Sequence, residues 1–215
     1  MKDFLQLKFN YSLFFKELKE FKNLLDSSRF LSEQDEILPF FRKRVQLSLA
    51  IGAYYPEILQ PDRIAFEYDL FGDFACDLVI GDSKRQSYCF VEFENAVENS
   101  IFRKTKRNLS EWSPRFERGF SQIIDWFYKL DTQSETRDFE YRFGGRSIYS
   151  MGLLIIGRDA DLSQKEKDRL EWRKRKILVN SHHIYCLTFD DLYRTLAVRR
   201  DIYEIFANSD RKSED

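Results

Sequence analysis

Hydrophobic residues recur at helical spacing near the start of the chain. Four of them lie at intervals of about 3.6 residues: Leu13, Leu18, Phe21 and Leu25. This spacing predicts an amphipathic helix over residues 12–26. Ser32, with an acid three residues later, is typical of a helix N-terminus. It predicts a second helix that runs towards Tyr54, and Pro56 is expected to help to end that helix.

Short apolar runs separated by turn residues occupy the middle of the chain. Three of these runs predict strands: Ile64–Leu70, Phe74–Ile80 and Ser87–Glu94. The turns between them contain Gly-Asp pairs, which favour a change of chain direction. The last two strands are therefore expected to form a hairpin.

A long amphipathic helix is predicted after a charged loop at residues 95–112. Ser113-Pro114 is a typical helix start, because proline is well tolerated in the first helical turn. The apolar stripe that follows continues as far as residue 130: Phe116, Phe120, Ile123 and Phe127. The stripe indicates that this helix packs against the predicted sheet.

The last third of the chain returns to alternating strand and helix patterns. A polar loop at residues 131–146 leads to an apolar run at 148–156, which predicts a strand buried on both faces. A helix that begins at Ser163, a strand at 184–188 and a helix at 190–196 complete the pattern. This order of elements predicts an α/β fold with a central sheet.

The composition supports a buried core inside a densely charged surface. Hydrophobic residues make up 43% of the 215 residues and charged residues make up 33%, which is typical of a water-soluble domain. The formal net charge of -1 argues against a histone-like coat of positive charge. Local groups of basic residues could still contact phosphates. Two such groups lie at residues 103–107 and 173–176, although a solvated surface is the commoner explanation for either one alone.

The cysteines and the hydropathy pattern indicate a cytoplasmic protein. Cys76, Cys89 and Cys186 lie far apart inside apolar runs and have no CxxC spacing, so buried reduced thiols are expected rather than zinc ligands. No apolar run approaches the ~20 residues of a membrane span, and the start of the chain lacks a secretory pattern. We expect no membrane association.

Three carboxylates interrupt the apolar pattern of the predicted hairpin. Asp77 lies in its first strand, while Glu92 and Glu94 lie in its second strand, where alternation places both glutamates on one face. A turn centred near Ser83 would put Asp77 close to the position opposite Phe90, one diagonal step from Glu92. The pattern therefore predicts that the three carboxylates converge on one patch.

Such a patch favours a divalent cation, because buried carboxylates without partners are costly. Mg²⁺ and Mn²⁺ prefer oxygen ligands, and one or two carboxylates with a substrate phosphate can complete their coordination. The bound ion can activate water and stabilise charge on a phosphodiester. The alternative is that Asp77 caps a sheet edge while the glutamates face solvent, which is common in antiparallel sheets. The strand pattern alone leaves these two interpretations equally open.

An acid in one strand, followed by an acid-x-(Lys or acid) triplet in the next, resembles the core of the PD-(D/E)xK nucleases. The downstream helix SPRFERGFSQIIDWFYKL, with Gln122 and Trp126 one turn apart, is similar to a helix found in many of them. The resemblance to the nuclease domain of Shedu-type anti-phage proteins covers residues 32–196. It rests on five segments in order: SEQDEILPFFRKRVQL, VEFENA, SPRFERGFSQIIDWF, GLLIIGRD and CLTFDDLYRTL.

The resemblance implies a restriction-endonuclease-like fold, in which a mixed central sheet is flanked by helices and preceded by a helical N-terminal segment. It also implies that Asp77 and Glu92 hold Mg²⁺ or Mn²⁺ together with the carbonyl of Phe93. Gln122 would help to position the water or the phosphate backbone. An acid of the preceding helix, Glu36 in preference to Glu33, would contribute through a water molecule.

The chain departs from the family pattern at Glu94, where a lysine is most common. A glutamate could accept a proton or bind a second metal ion, so Glu94 is expected to orient or deprotonate the water. It cannot stabilise negative charge as a lysine would. Lys104 and Lys106, which follow shortly after the strand, are candidates for a displaced positive charge.

These observations favour a metal-dependent hydrolase that cleaves DNA in prokaryotic anti-phage defence. The alternative is a catalytically altered relative that binds nucleic acid or a phage component and acts as a sensor or interaction module. A third interpretation is a structural oligomerisation module, and homo-oligomers are compatible with all three. The predicted division is a helical segment over 1–31, a nuclease-like domain over 32–200 and a tail over 201–215.

Overall fold

A mixed sheet forms the centre of the protein. The computed structural model describes residues 3–106 and 109–212, with side chains as far as residue 204. Within these residues, seven strands pair in the order β1-β2-β3-β4-β7-β9-β8, and β5 pairs separately with β6. The strands are β1 Leu5–Gln6, β2 Arg63–Leu70, β3 Phe74–Asp82, β4 Ser87–Phe93, β5 Phe102–Arg103, β6 Glu111–Trp112, β7 Tyr149–Ile155, β8 Leu178–Val179 and β9 His182–Leu187.

The direction of the strands changes across the sheet. The first four strands form an antiparallel meander, whereas β4, β7 and β9 run parallel to one another. Parallel neighbours require crossover connections, and helices provide them. The mixed α/β architecture with flanking helices is therefore confirmed. The finer restriction-endonuclease likeness stays a prediction.

Helices cover both faces of the sheet. The first helix shares a core with one face, where Phe14, Leu18 and Phe21 are fully buried. The long helix that begins at Pro114 covers the opposite face, and its predicted apolar stripe is buried as expected. The helices are α1 Tyr11–Ser27, α2 Leu38–Arg42, α3 Val45–Ala50, α4 Pro114–Gln133, α5 Arg137–Phe143, α6 Gln164–Lys176 and α7 Phe189–Lys212, with short π or 3₁₀ turns at Glu33–Ile37, Ile51–Tyr54 and Asp159–Asp161.

The predicted second helix begins as expected but is not continuous. Ser32 accepts a hydrogen bond from the N–H of Asp35, which confirms the helix start. The helix then breaks before α3, because Arg44 adopts a non-helical backbone with φ −124° and ψ 72°. The N–H of Leu47, left free by this break, donates to the buried carboxylate of Glu17 in α1 at 2.7 Å. A distant carboxylate therefore caps α3.

Three local predictions were wrong in extent. The polar loop at 131–146 contains α5, which Thr136 caps through the N–H of Phe139. The final helix continues to Lys212 rather than ending near residue 196. The charged loop at 95–112 contains the small β5–β6 pair. The last three residues of the predicted tail lie outside the described residues.

The cysteines and the hydropathy of the helices agree with the sequence-based expectations. All three cysteines are free and buried, and burial raises the pKa of their thiols. Among the described residues, no helix combines the length and the apolar character that a bilayer crossing requires.

Candidate active site

The β3–β4 hairpin sets the relative positions of two of the predicted site residues. Leu78 pairs with Val91 in the observed register, and continuing that register by one residue places Asp77 opposite Glu92. The prediction that Asp77 lies opposite Phe90 is therefore wrong by two residues. The turn lies later in the chain than expected, because residues 81 and 82 are still paired within the strands.

Asp82 explains the late turn. Its carboxylate is almost fully buried and accepts hydrogen bonds from the N–H groups of Leu59 and Gln60 at 3.1 and 3.0 Å. It also accepts a bond from the N–H of Arg85. An aspartate that would ordinarily favour a turn is held in the strand by this preceding loop.

Asp77 and Glu92 form the centre of the acidic group. One oxygen of Asp77, Oδ2, accepts a hydrogen bond from the N–H of Phe93 at 2.8 Å. Glu92 is only 7% exposed, and its buried Oε2 atom has no hydrogen-bond partner in the described structure. Buried polar atoms are normally hydrogen-bonded, so this orphaned oxygen indicates a ligand or a proton.

Burial and mutual repulsion raise the pKa of both carboxyl groups. Burial is the largest cause of the raised pKa of Glu92, followed by repulsion from Asp77, Glu94 and Glu33. Burial also raises the pKa of Asp77, while the bond from the N–H of Phe93 opposes the shift. A strongly perturbed pair of carboxyl groups in a cavity is typical of a functional site.

Glu94 lies immediately after β4 and is neutralised by two arginines of α4. It is 1% exposed, and its Oε2 accepts a hydrogen bond from Nη1 of Arg115 at 2.6 Å. Its other oxygen accepts a bond from Nη2 of Arg118 at 3.2 Å. Each oxygen of Glu94 therefore has an arginine partner.

Gly119 allows α4 to approach this carboxylate. A Cβ atom at Gly119 would lie 2.8 Å from Cδ1 of Leu154 and 3.5 Å from Cγ of Glu94. The first distance is too short for carbon atoms in contact. A larger residue here would require Leu154 to shift or α4 to move away from the sheet.

The acidic residues line one cavity of about 510 Å³. Gln122 of α4 lies on its wall, as predicted, on the same helix face as Arg118. The three carboxylates predicted to converge also share this cavity, which we call the acidic cavity. Its lining is Glu33, Gln34, Leu38, Glu67, Ala75, Cys76, Asp77, Glu92, Glu94, Arg118 and Gln122.

Glu33, and not Glu36, extends into the acidic cavity. The carboxylate of Glu36 turns back to accept the N–H of Ser32 at 2.8 Å, as in a helix cap. The cavity lining therefore favours Glu33 over Glu36, while a contribution through a water molecule stays a prediction. Burial and the neighbouring Glu94, which also hydrogen-bonds to it, raise the pKa of Glu33.

The positive charge beside the acidic cavity comes from α4. Lys104 and Lys106 are exposed and do not line the cavity, so their proposed role as the displaced cation has no structural support. Arg115, Arg118 and Gln122 recur at intervals of three and four residues, which places them on one helix face. The sequence contains the same spacing, but the predictions from the sequence did not include the two arginines.

Most of the arginines in the two basic groups have structural partners. Arg173 pairs with Glu117 at 2.7 Å and is largely buried. It also lies over three rings: those of Trp112, Phe116 and Phe120. Arg103 pairs with Glu111 at 2.9 Å, and Arg107 lies outside the described residues. These contacts favour a structural role for Arg173 over phosphate binding.

Glu67 adds backbone strain to the wall of the acidic cavity. It lies in β2 with a φ of 49°, a left-handed conformation that is unfavourable for a residue other than glycine. Its carboxylate forms an ion pair with Arg42. Strained residues of this kind cluster at functional sites, where the surrounding structure maintains them.

The donor set at Asp77 and Glu92 fits a hard divalent cation. It consists of carboxylate oxygens, one of which is buried without a partner among the described residues. The carbonyl of Phe93 points to the same side as its N–H, since both groups of a strand residue face one neighbour. No cluster of three or more His, Cys, Asp or Glu side chains in the described part of the chain is arranged to hold a metal ion. Mg²⁺ needs only one or two protein carboxylates when water and phosphate complete its shell.

Comparison with known protein families identifies the family of this chain. Residues 31–193 match the family model described as "Shedu protein SduA, C-terminal". The chain belongs to this family. No curated protein matches the sequence.

The SduA C-terminal match includes every residue of the acidic cavity. It begins just before Glu33 and ends within α7, so α1 precedes it. Membership of the Shedu family suggests a role in anti-phage defence.

Proposed function

We propose that the protein is a divalent-metal-dependent nuclease that hydrolyses phosphodiester bonds in DNA during anti-phage defence. The observation that carries this proposal is the buried Oε2 of Glu92, which lies opposite Asp77 in a solvent-accessible cavity and has no partner in the described part of the chain. Two buried carboxylates with raised pKa values are costly unless a cation or protons neutralise them. Membership of the Shedu family supports the defence role.

Asp77 and Glu92 would hold Mg²⁺ or Mn²⁺, together with the carbonyl of Phe93. When bound, such an ion lowers the pKa of a coordinated water and polarises the phosphate. Gln122 can donate and accept hydrogen bonds at the same cavity wall. It would therefore orient the attacking water or a phosphate oxygen. The phosphates of a nucleic acid could contact Arg118 at the edge of this cavity, and DNA is proposed because the resemblance to the Shedu-type nuclease domain implies it.

Arg118 would take the part that the lysine of the family triplet plays. It lines the acidic cavity and is two-thirds exposed, so it can reach a phosphate at the entrance. Glu94 would act by holding Arg115 and Arg118 in place rather than by accepting a proton. On this interpretation Glu94 of the triplet positions two arginines, and their positive charge replaces that of the lysine.

One observation favours the second candidate, a catalytically altered relative that binds nucleic acid without cleaving it. Both oxygens of Glu94 pair with arginines, so Glu94 is less available than Asp77 or Glu92 to bind a second metal ion. The same arginines would attract phosphates in a binding module. Cleavage activity distinguishes the two candidates.

A nuclease assay tests the proposal directly. Purified protein would be incubated with linear duplex, circular duplex and single-stranded DNA, with Mg²⁺, with Mn²⁺ and with EDTA. Cleavage should require a metal ion and should be lost in Asp77→Asn and Glu92→Gln. Asp125→Asn and Glu98→Gln change exposed acids in the same way and serve as matched controls. Cleavage that persists in both site variants, or absence of cleavage on every DNA, would contradict the proposal.

A further inference from the structure

A second cavity lies away from the acidic cavity and shares no lining residue with it. It measures about 690 Å³ and is bounded by β1, the start of α1, the segment at residues 58–62 and α7. This volume is within the range of about 300–1,000 Å³ that small-molecule sites occupy. We call it the N-terminal cavity.

Three aromatic rings form one wall of the N-terminal cavity. The ring centroids of Tyr11 and Tyr203 are 5.0 Å apart, and those of Phe9 and Tyr11 are 5.1 Å apart. Phe9 and Tyr203 are separated by 5.9 Å. Tyr11 is 51% exposed, so a planar ligand could stack on it. Aromatic side chains accept any nucleobase by stacking.

Basic residues form another part of the lining. Lys8 and Lys84 are exposed and form no ion pair with any acid in the described part of the chain. Arg199 donates a hydrogen bond to the carbonyl of Ala53, while its buried Nε atom has no partner among the described residues. Three cations therefore face one cavity.

Among the described residues, Asp62 is the one acid in this lining, and it forms no ion pair with the three cations that outnumber it. Both oxygens of Asp62 accept hydrogen bonds from Ser83, at 2.8 Å from the N–H and 2.5 Å from the hydroxyl. The N-terminal cavity thus combines an excess of positive charge with an aromatic wall. This combination suits a ligand that is both anionic and planar.

We propose that the N-terminal cavity binds a mononucleotide, with its base on the aromatic wall and its phosphates on Lys8, Lys84 and Arg199. Inorganic phosphate would leave the aromatic rings unused, and an apolar ligand would bury the lysines without a counter-charge. A nucleotide satisfies both parts of the lining. The proposal is independent of the chemistry at the acidic cavity.

A nucleotide in this cavity would contact the two ends of the chain. Tyr11 begins α1, and Tyr203 lies in α7. These two helices pack against each other. Occupancy would therefore join the first and last helices through a shared ligand, and it should raise the melting temperature of the whole protein.

Calorimetric titration with ATP in EDTA tests the proposal without involving the metal site. We expect saturable binding that is weakened at least tenfold by the paired change Lys8→Glu and Lys84→Glu. The matched control is Lys165→Glu with Lys176→Glu, which reverses two exposed lysines on α6. Asp77→Asn should bind ATP as the wild type does. Absence of binding, or equal loss in the control, would overturn the proposal.

Ligand fragments identify which part of the nucleotide is recognised. Adenosine and tripolyphosphate should each bind at least tenfold more weakly than ATP, and Tyr11→Ala should weaken ATP binding but not tripolyphosphate binding. If tripolyphosphate equals ATP and Tyr11→Ala changes neither, the cavity is a simple anion site and the proposal fails. It fails as well if a 5′-phosphorylated oligonucleotide binds more tightly than ATP and loses its affinity in the Lys8→Glu, Lys84→Glu variant.

Discussion

Arg115 donates a 2.6 Å hydrogen bond to Glu94, and the carboxylate that receives it is 1% exposed. Arg118 engages the second oxygen of the same carboxylate from one turn further along α4. A buried carboxylate held by two cations is an electrostatic attachment between the end of β4 and the start of α4. Several properties of the proposed site depend on this attachment.

The first prediction concerns stability. Arg115→Ala should destabilise the protein by about 1–2 kcal/mol, because it leaves a buried charge with one remaining partner. Breaking a fully buried pair costs about 3–5 kcal/mol, but Arg115 is about one-third exposed, so solvent screening reduces the effect. Urea unfolding measures the change. Arg146→Ala, which removes an exposed partner of Glu140, should cost less than about 0.5 kcal/mol; equal losses in the two variants would contradict the prediction.

A second prediction tests whether Arg118, rather than Lys104 and Lys106, supplies the positive charge at the proposed site. Arg118→Ala should lower the rate of DNA cleavage by roughly 10²–10³-fold, the usual scale for losing a group that stabilises transition-state charge. Arg118→Lys should recover part of that loss. The paired change Lys104→Ala and Lys106→Ala should leave the rate within about twofold, since neither lysine lines the cavity. A larger loss from the lysine pair than from Arg118→Ala would return the role to the lysines.

The third prediction is a pH-dependent gain of stability in Glu92→Gln. Burial raises the pKa of Glu92 in the folded protein, so folding favours its protonated form. The stability that this carboxyl contributes is complete below its unfolded pKa, about 4.3. It is lost as the pH rises towards the folded pKa. Glutamine carries no charge, so the metal-free variant should be more stable than wild type by about 1–3 kcal/mol at pH 8.

Urea unfolding in EDTA at several pH values between 4 and 8 measures this difference, because titration of the carboxyl groups distant from Glu92 cancels between the two proteins. Glu98→Gln, at an exposed position, should track the wild type throughout. A stability difference that stays constant with pH would show that the effect does not come from the Glu92 charge.

Metal binding should release protons near neutral pH. Both Asp77 and Glu92 have raised pKa values, and a cation binds only their ionised forms. Mn²⁺ affinity should therefore increase with pH, with release of about one proton per ion. Calorimetry in two buffers of different ionisation enthalpy gives that number. Heat that does not depend on the buffer would argue against these two carboxylates as ligands.

Gly119→Ala should loosen α4 from the sheet. The added Cβ atom would lie 2.8 Å from Cδ1 of Leu154. Overpacking of this kind typically lowers the free energy of unfolding by about 1–3 kcal/mol. The better helix propensity of alanine offsets about 1 kcal/mol of this. Thermal unfolding should show a net loss, whereas Ser121→Ala on the exposed side of α4 should not. A more stable Gly119→Ala protein would show that Leu154 can move aside.

The sequence predicted those features of the fold that depend on local periodicity. The strands of the hairpin, the apolar stripe of α4 and the start of the segment after Ser32 follow from spacing and capping alone. The hairpin register does not, because Asp82 stays in its strand through bonds to Leu59 and Gln60. Those residues lie more than twenty positions earlier in the chain.

The acidic residues of the site could be predicted from the sequence, whereas the pairing of the α4 arginines with Glu94 could not. Alternation and the family resemblance identified Asp77, Glu92 and Glu94, and all three line one cavity. The sequence did not indicate that Glu33, rather than Glu36, lines the cavity, because the local cap formed by Glu36 depends on its side-chain conformation. Helix periodicity could have indicated the arginines of α4, but only the structure relates them to Glu94.

The bond from Leu47 to Glu17 has a consequence for where the chain can be cut. Glu17 belongs to α1, which precedes the segment that matches the family, while Leu47 lies within that segment. Cutting the chain before residue 31 would remove both the cap of α3 and the buried Phe14, Leu18 and Phe21. The sides of α3 and α7 that pack against α1 would then be exposed to water. The smallest autonomous folding unit is therefore larger than the region that the family shares.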